Sequence, residues 1–183
     1  MARRAIALAG LLLFPPALFG QTVTVLPALP IYLPGISDSS SPVFWRGDTF
    51  AVFQSNGMPI LSYGASQFSR LKSQAVLLDS YAHVPLWIES AWMSDEGVLY
   101  AWYHHESWAC GALSSPRIGA LVSGDSGRSF TDLGIVLESG YPDDCGAENG
   151  YFAGGHGDFT VTLDRERRYF YFHFDNYSGP DGA

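Results

Sequence analysis

Positive charge is scarce in this chain: one lysine and nine arginines stand against 18 acidic residues, for a formal net charge of −8 and a pI near 4.9. Nucleic acids and anionic membrane surfaces are held by clustered basic side chains, so this balance argues against both as partners. Long hydrophobic runs are lacking too. The longest, from Ala5 to about Phe19, is broken by Pro15 and Pro16 and falls short of the ~20 residues a spanning helix needs. Cysteine is reduced to Cys110 and Cys145, too few for a structural zinc site, and an even pair in an exported chain predicts a disulfide. No Ser-His-Asp order, phosphate-binding loop or HExxH helix is present, which removes the usual signatures of serine hydrolases, nucleotide enzymes and zinc peptidases.

What is present begins with Arg3 and Arg4 ahead of that apolar run, the layout of a secretory signal peptide over residues 1–20, with cleavage near Gly20. The expected location is secreted or periplasmic. Removal leaves 163 residues, enough for one core. Residues 21–41 carry Pro27, Pro30 and Pro34 and then Ser39, Ser40 and Ser41, and read as an extended lead-in with Asp38 near its end.

From residue 42 the pattern is that of strands. Val43 to Arg46, Thr49 to Gln54 and Met58 to Tyr63 form a first group, while Gly64 to Asp79 carries little signal, and Phe68 to Ala75 reads as a helical turn or a loop. Leu86 to Met93 and Val98 to His104 flank the turn Ser94-Asp95-Glu96-Gly97. After a loop holding Cys110 come Arg117 to Ser123 and Phe130 to Leu137. Shifting this unit by 69 positions places Glu89 on Asp158, Asp95 on Asp164, Tyr100 on Tyr169, His104 on His173 and Glu106 on Asp175. Phe159 to Leu163 and Tyr169 to Phe174 then supply two strands of a third unit. The first unit fits more loosely, with Asp38 near the place held by Glu89.

The turn Ser123-Gly124-Asp125-Ser126-Gly127-Arg128-Ser129-Phe130 resembles the Asp-box that recurs in β-propellers such as sialidases. The resemblance implies an all-β fold: a β-propeller of four-stranded antiparallel blades, with about two and a half blades in residues 42–183, as the front part of a longer propeller or a truncated one. An acid at the start of the inner strand of each unit, Asp38, Glu89 and Asp158, resembles the five-bladed glycoside hydrolases of the arabinanase and levansucrase type, including family 43. There three carboxylates from successive blades act as base or nucleophile, modulator and acid. The order here, Asp, Glu, Asp, departs from the usual Asp, Asp, Glu. The implied catalytic set is Asp38, Glu89 and Asp158, because cleaving a glycosidic bond requires one carboxyl to give a proton while a partner stays ionised.

Gly154-Gly155-His156-Gly157 would let backbone approach a ligand closely, which makes His156 a candidate substrate contact, and Trp87 and Trp108, near loops, are candidates for stacking on a sugar. His104 and His105 point to opposite faces of a strand, and His104 and His173 read as repeated scaffold residues. No cofactor is expected; a channel calcium ion, found in some of the resembled families, is left open. The expected partner is carbohydrate. Two other readings stand beside the hydrolase: a sialidase-like protein, for whose arginine triad the chain has few candidates, and a propeller that binds without catalysis.

Overall fold

The computed structural model describes residues 23–179, and the expected signal peptide lies outside the described residues. These residues form an all-β fold, half of them in strands, with no helix among the described residues. Three sheets follow one another in sequence. The first holds β1 (Val43–Arg46), β2 (Thr49–Ser55), β3 (Pro59–Gly64) and β4 (Lys72–Ala75) as an antiparallel meander. The second runs in the order β5 (Leu77–Leu78), β9 (Ser129–Leu137), β8 (Leu113–Ser123), β7 (Leu99–Cys110), β6 (Leu86–Met93), with β5 parallel to β9 and the rest antiparallel. The third pairs β10 (His156–Leu163) with β11 (Phe170–Asn176).

Alternation along the strands explains how the sheets stack. On β7, Leu99, Ala101 and Tyr103 enter one core with Phe44, Phe53 and Leu61 of the first sheet, while Tyr100 and Trp102 enter a second core with Phe159, Val161, Phe170 and Phe172 of the third. The central sheet is therefore covered on both faces. Its first strand, β6, contacts β1, β2 and β3 on one side and β10 on the other.

Two stretches differ from the expectation. Residues 72–75 and 77–78 are strands, not a helical turn or loop: Lys72 to Ala75 completes the first meander against Ile60 to Tyr63. Cys110 ends a strand in place of lying in a loop, because β7 and β8 stay paired out to Cys110 and Leu113 around Gly111, whose φ of 64° suits the tight turn.

One close approach is decisive in the central sheet. The Tyr103 ring lies over Gly119 on the neighbouring strand, where a Cβ would sit 2.1 Å from the ring. Tyr103 is fully buried and cannot swing away, so Gly119→Ala should lower stability by about 1 to 3 kcal/mol through overpacking. Denaturant titration reads this directly; an unchanged midpoint would mean that the ring moves freely.

The β8–β9 turn is closed by its own side chains. Asp125 accepts hydrogen bonds from the Ser123 hydroxyl (2.8 Å), the Ser129 N–H (2.9 Å) and the Ser129 hydroxyl (2.7 Å), while Ser123 Oγ accepts from the Gly127 N–H (2.8 Å). Gly127, at φ 81°, rests against Phe53 with no room for a side chain, so the turn also locks onto the first sheet. Elsewhere Asp132 accepts from the Tyr103 hydroxyl (2.9 Å) and meets His83 Nδ1 (2.6 Å).

Burial alone would raise both carboxyls, but these hydrogen bonds outweigh it and hold Asp125 and Asp132 below their ordinary value of 3.8. A depressed folded-state pKa adds stability that is present above 3.8 and lost as pH falls through the lower folded value. The melting temperature should therefore drop below about pH 4, and Asp125→Asn and Asp132→Asn should each flatten that acid limb. Parallel limbs in parent and variants would refute it.

Candidate functional site

β6 and β10 each carry a bulge, and an acid is the extra residue in both. The β6–β7 register shifts between Ile88 and Ser90, leaving Glu89 unpaired, and the β10–β11 register shifts between Gly157 and Phe159, leaving Asp158 unpaired. A bulge re-aims side chains: on β6 it turns both Glu89 and Ser90 toward the third sheet, where Ser90 Oγ accepts from the Val161 N–H (3.0 Å). Asp158 takes a φ of 36°, in the left-handed region that a non-glycine residue seldom enters.

Asp38, Glu89 and Asp158 meet at one open cavity of about 470 Å³, which Ser39, Ser40, Phe159, Thr160 and His173 also line. Asp38 is placed by its N–H, which donates to the Ser55 carbonyl at the end of β2 (3.1 Å). Glu89 is 5% exposed and both its oxygens are engaged: Oε1 with His104 Nδ1 (2.8 Å), Oε2 with the Phe159 N–H (2.7 Å). His104 is stacked against Trp87, ring centroids 4.8 Å apart, which fixes the imidazole behind the acid. Asp158 is exposed and reaches the Tyr177 hydroxyl at 3.5 Å. Burial, then the charges of Asp158 and Asp175, push the Tyr177 phenol up, so it stays a proton-bearing donor toward Asp158.

The other expected contacts lie elsewhere. Trp87 is buried behind His104, its indole N–H without a partner, and does not line the cavity. Trp108 stands 72% exposed near the tip of the β7–β8 hairpin, and His156 packs on Phe174 with Nδ1 buried and unpartnered. His104, read from the sequence as scaffold, is instead the partner of Glu89; the signal was its register opposite Trp87, two residues before the acid on β6. His105 faces the other way, toward the Pro85 carbonyl (3.0 Å).

Glu89, His104 and Asp158 offer ligand atoms that all lie within 4.8 Å of one another, a set able to approach a metal ion. The Glu89 to His104 hydrogen bond already uses one atom of each, and two carboxylates with an imidazole supply fewer oxygens than the six to eight that calcium takes. Chemically, the cavity presents one carboxylate locked in place, one exposed beside it, and a third from the lead-in. No protein-family model matches the chain, and no match is found among curated proteins.

Proposed function

We propose that the chain is part of a carbohydrate-active β-propeller that hydrolyses glycosidic bonds at this cavity. The observation that carries the reading is the convergence of three carboxylates, one from the entry to each of three successive stacked sheets, on a single open cavity. Stacked antiparallel sheets with their first strands side by side at β1, β6 and β10 are the arrangement that propeller blades adopt around a channel.

The roles follow from the surroundings of each acid. Asp158, exposed and beside a hydroxyl donor, delivers the proton to the leaving oxygen. Glu89, held by His104 and the Phe159 N–H, is a fixed charge next to it that sets the proton affinity of the pair. Asp38 faces them from the lead-in and activates the attacking water. The facing oxygens of Glu89 and Asp158 lie within 4.8 Å, short of the about 6.5–9.5 Å that leaves room for water in an inverting pair, so an inverting reaction needs Asp38 as one member of the reacting pair. Inversion at the anomeric carbon is the outcome that the resemblance to the five-bladed hydrolases implies.

A panel of aryl glycosides tests the reading by release of the aryl alcohol, with NMR of the first-formed anomer to give the stereochemistry. Turnover of at least one pentoside or hexoside supports hydrolysis. No turnover, combined with saturable binding of oligosaccharides at this cavity, would replace it with a binding propeller.

A further inference from the structure

A second cavity, of about 320 Å³, opens at the other end of the strands. β2 runs between the two sites: its first residue, Thr49, lines this cavity, and its last, Ser55, holds Asp38. The floor is the end of the core between the first and second sheets, made by Phe44, Ala51 and Leu61, none more than 6% exposed. The mouth carries two arginines. Arg46 comes from the end of β1 and donates to Ser126 Oγ, while Arg128 comes from the β8–β9 turn and lies over the Tyr63 ring, 5.5 Å from its centroid.

Neither guanidinium has an acidic partner within ion-pair distance among the described residues, whereas Arg117, Arg167 and Arg168 pair with Glu138, Asp95 and Asp164. In a chain of net charge −8, two like cations gathered at one apolar hollow are an arrangement that a bound anion would relieve. Each guanidinium is also oriented, one by a hydroxyl and one by a ring face, and keeps donors free for a planar anion.

We propose that this cavity binds a small organic anion, a ring of about six atoms carrying one carboxylate or sulfate, with the anionic group between Arg46 and Arg128 and the ring on Phe44, Leu61 and Tyr63. Its volume sits at the lower end of the range for ligand pockets, about 300 to 1,000 Å³, and matches one ring rather than an oligomer. The site does not depend on the chemistry of the acid cavity.

Calorimetric titration and ligand-observed NMR on the full chain at low salt test this with benzoate and phenyl sulfate as probes, and with benzamide and inorganic sulfate as controls. Both probes should saturate one site. Arg46→Gln and Arg128→Gln should each weaken them at least about tenfold, the loss expected for one charge-assisted contact. Arg117→Gln, whose side chain is paired with Glu138, should leave affinity unchanged, and melting curves confirm that all three variants fold. The proposal is overturned if neither probe saturates, if benzamide binds as tightly as benzoate, or if the two glutamine variants keep full affinity. Inorganic sulfate binding as tightly as phenyl sulfate would overturn the ring subsite.

Discussion

Asp158→Asn and Asp38→Asn are each expected to cut turnover of a cleaved glycoside at least about a hundredfold with little change in melting temperature, since both side chains are exposed and neither anchors a core. Glu89→Gln should lose as much activity but also some stability. The carboxylate accepts from two donors, His104 Nδ1 and the Phe159 N–H, and an amide can satisfy only one with its oxygen while its NH2 faces the other. Leaving a buried donor unmet costs about 1 to 3 kcal/mol. The contrast between the variants separates chemistry from folding. If all three keep turnover within a few-fold of the parent, the acids are strand-end residues and the hydrolase reading fails.

The stereochemical outcome adds a second constraint on the same residues. Retention would demand a reacting pair about 5 to 5.5 Å apart, and the facing Glu89 and Asp158 oxygens already lie within 4.8 Å. A retaining product would therefore make one carboxylate of this inner pair the nucleophile and leave Asp38 without the base's role, whereas an inverting product keeps Asp38 as the base.

Much of this arrangement was legible from alternation. Leu99, Ala101 and Tyr103 against Tyr100 and Trp102 is a period of two that survives burial on both faces, so β7 and its partners could be placed from sequence. β4 could not. Lys72-Ser73-Gln74-Ala75 is polar, short and largely exposed, an edge strand whose pairing comes from the backbone of β3 and leaves no apolar signature. The two bulges were equally silent. Alternation on β6 gives two answers: counted from Leu86 and Ile88 it turns Glu89 away from the first sheet, counted back from Ala91 and Met93 it turns Glu89 toward it; the extra residue reverses the phase between them, and only the 69-residue repeat to Asp158 pointed at the position. The pairing of His104 with Glu89 depends on that bulge and so leaves no trace in the sequence pattern. The two Trp candidates lie away from the acid cavity for a simpler reason: nearness to a loop in sequence says nothing about which end of a long hairpin the ring occupies, and Trp108 sits far out along β7.

Removing the Cys110–Cys145 disulfide should lower stability by about 3 to 4 kcal/mol, the chain-entropy value for a closure of 35 positions. In a domain of this size that corresponds to a fall of roughly 10 °C in melting temperature. The bond joins the tip of the β7–β8 hairpin to residues 138–155, a segment without named strands that leads directly into β10 and Asp158. Other ties hold that segment too: Ser114 exchanges backbone hydrogen bonds with Tyr151 and Ala153, the Ser115 hydroxyl donates to Asp143 (2.7 Å), the Gly155 N–H donates to Ser178 Oγ (2.6 Å), the Tyr177 N–H donates to the Gly155 carbonyl (3.0 Å), and Phe152 stacks on Tyr177. Without the disulfide, the entry to β10 is held by these hydrogen bonds and one aromatic stack, each hydrogen bond contributing only about 0.5 to 1.5 kcal/mol net. The double variant Cys110→Ser/Cys145→Ser, and the parent under reductant, should melt at the same lowered temperature. Hydrogen exchange should rise first at residues 141–157, while the amides of β2 and β7 stay protected. A melting temperature within about 2 °C of the parent would show that the remaining hydrogen bonds and the Phe152–Tyr177 stack suffice to seat the segment.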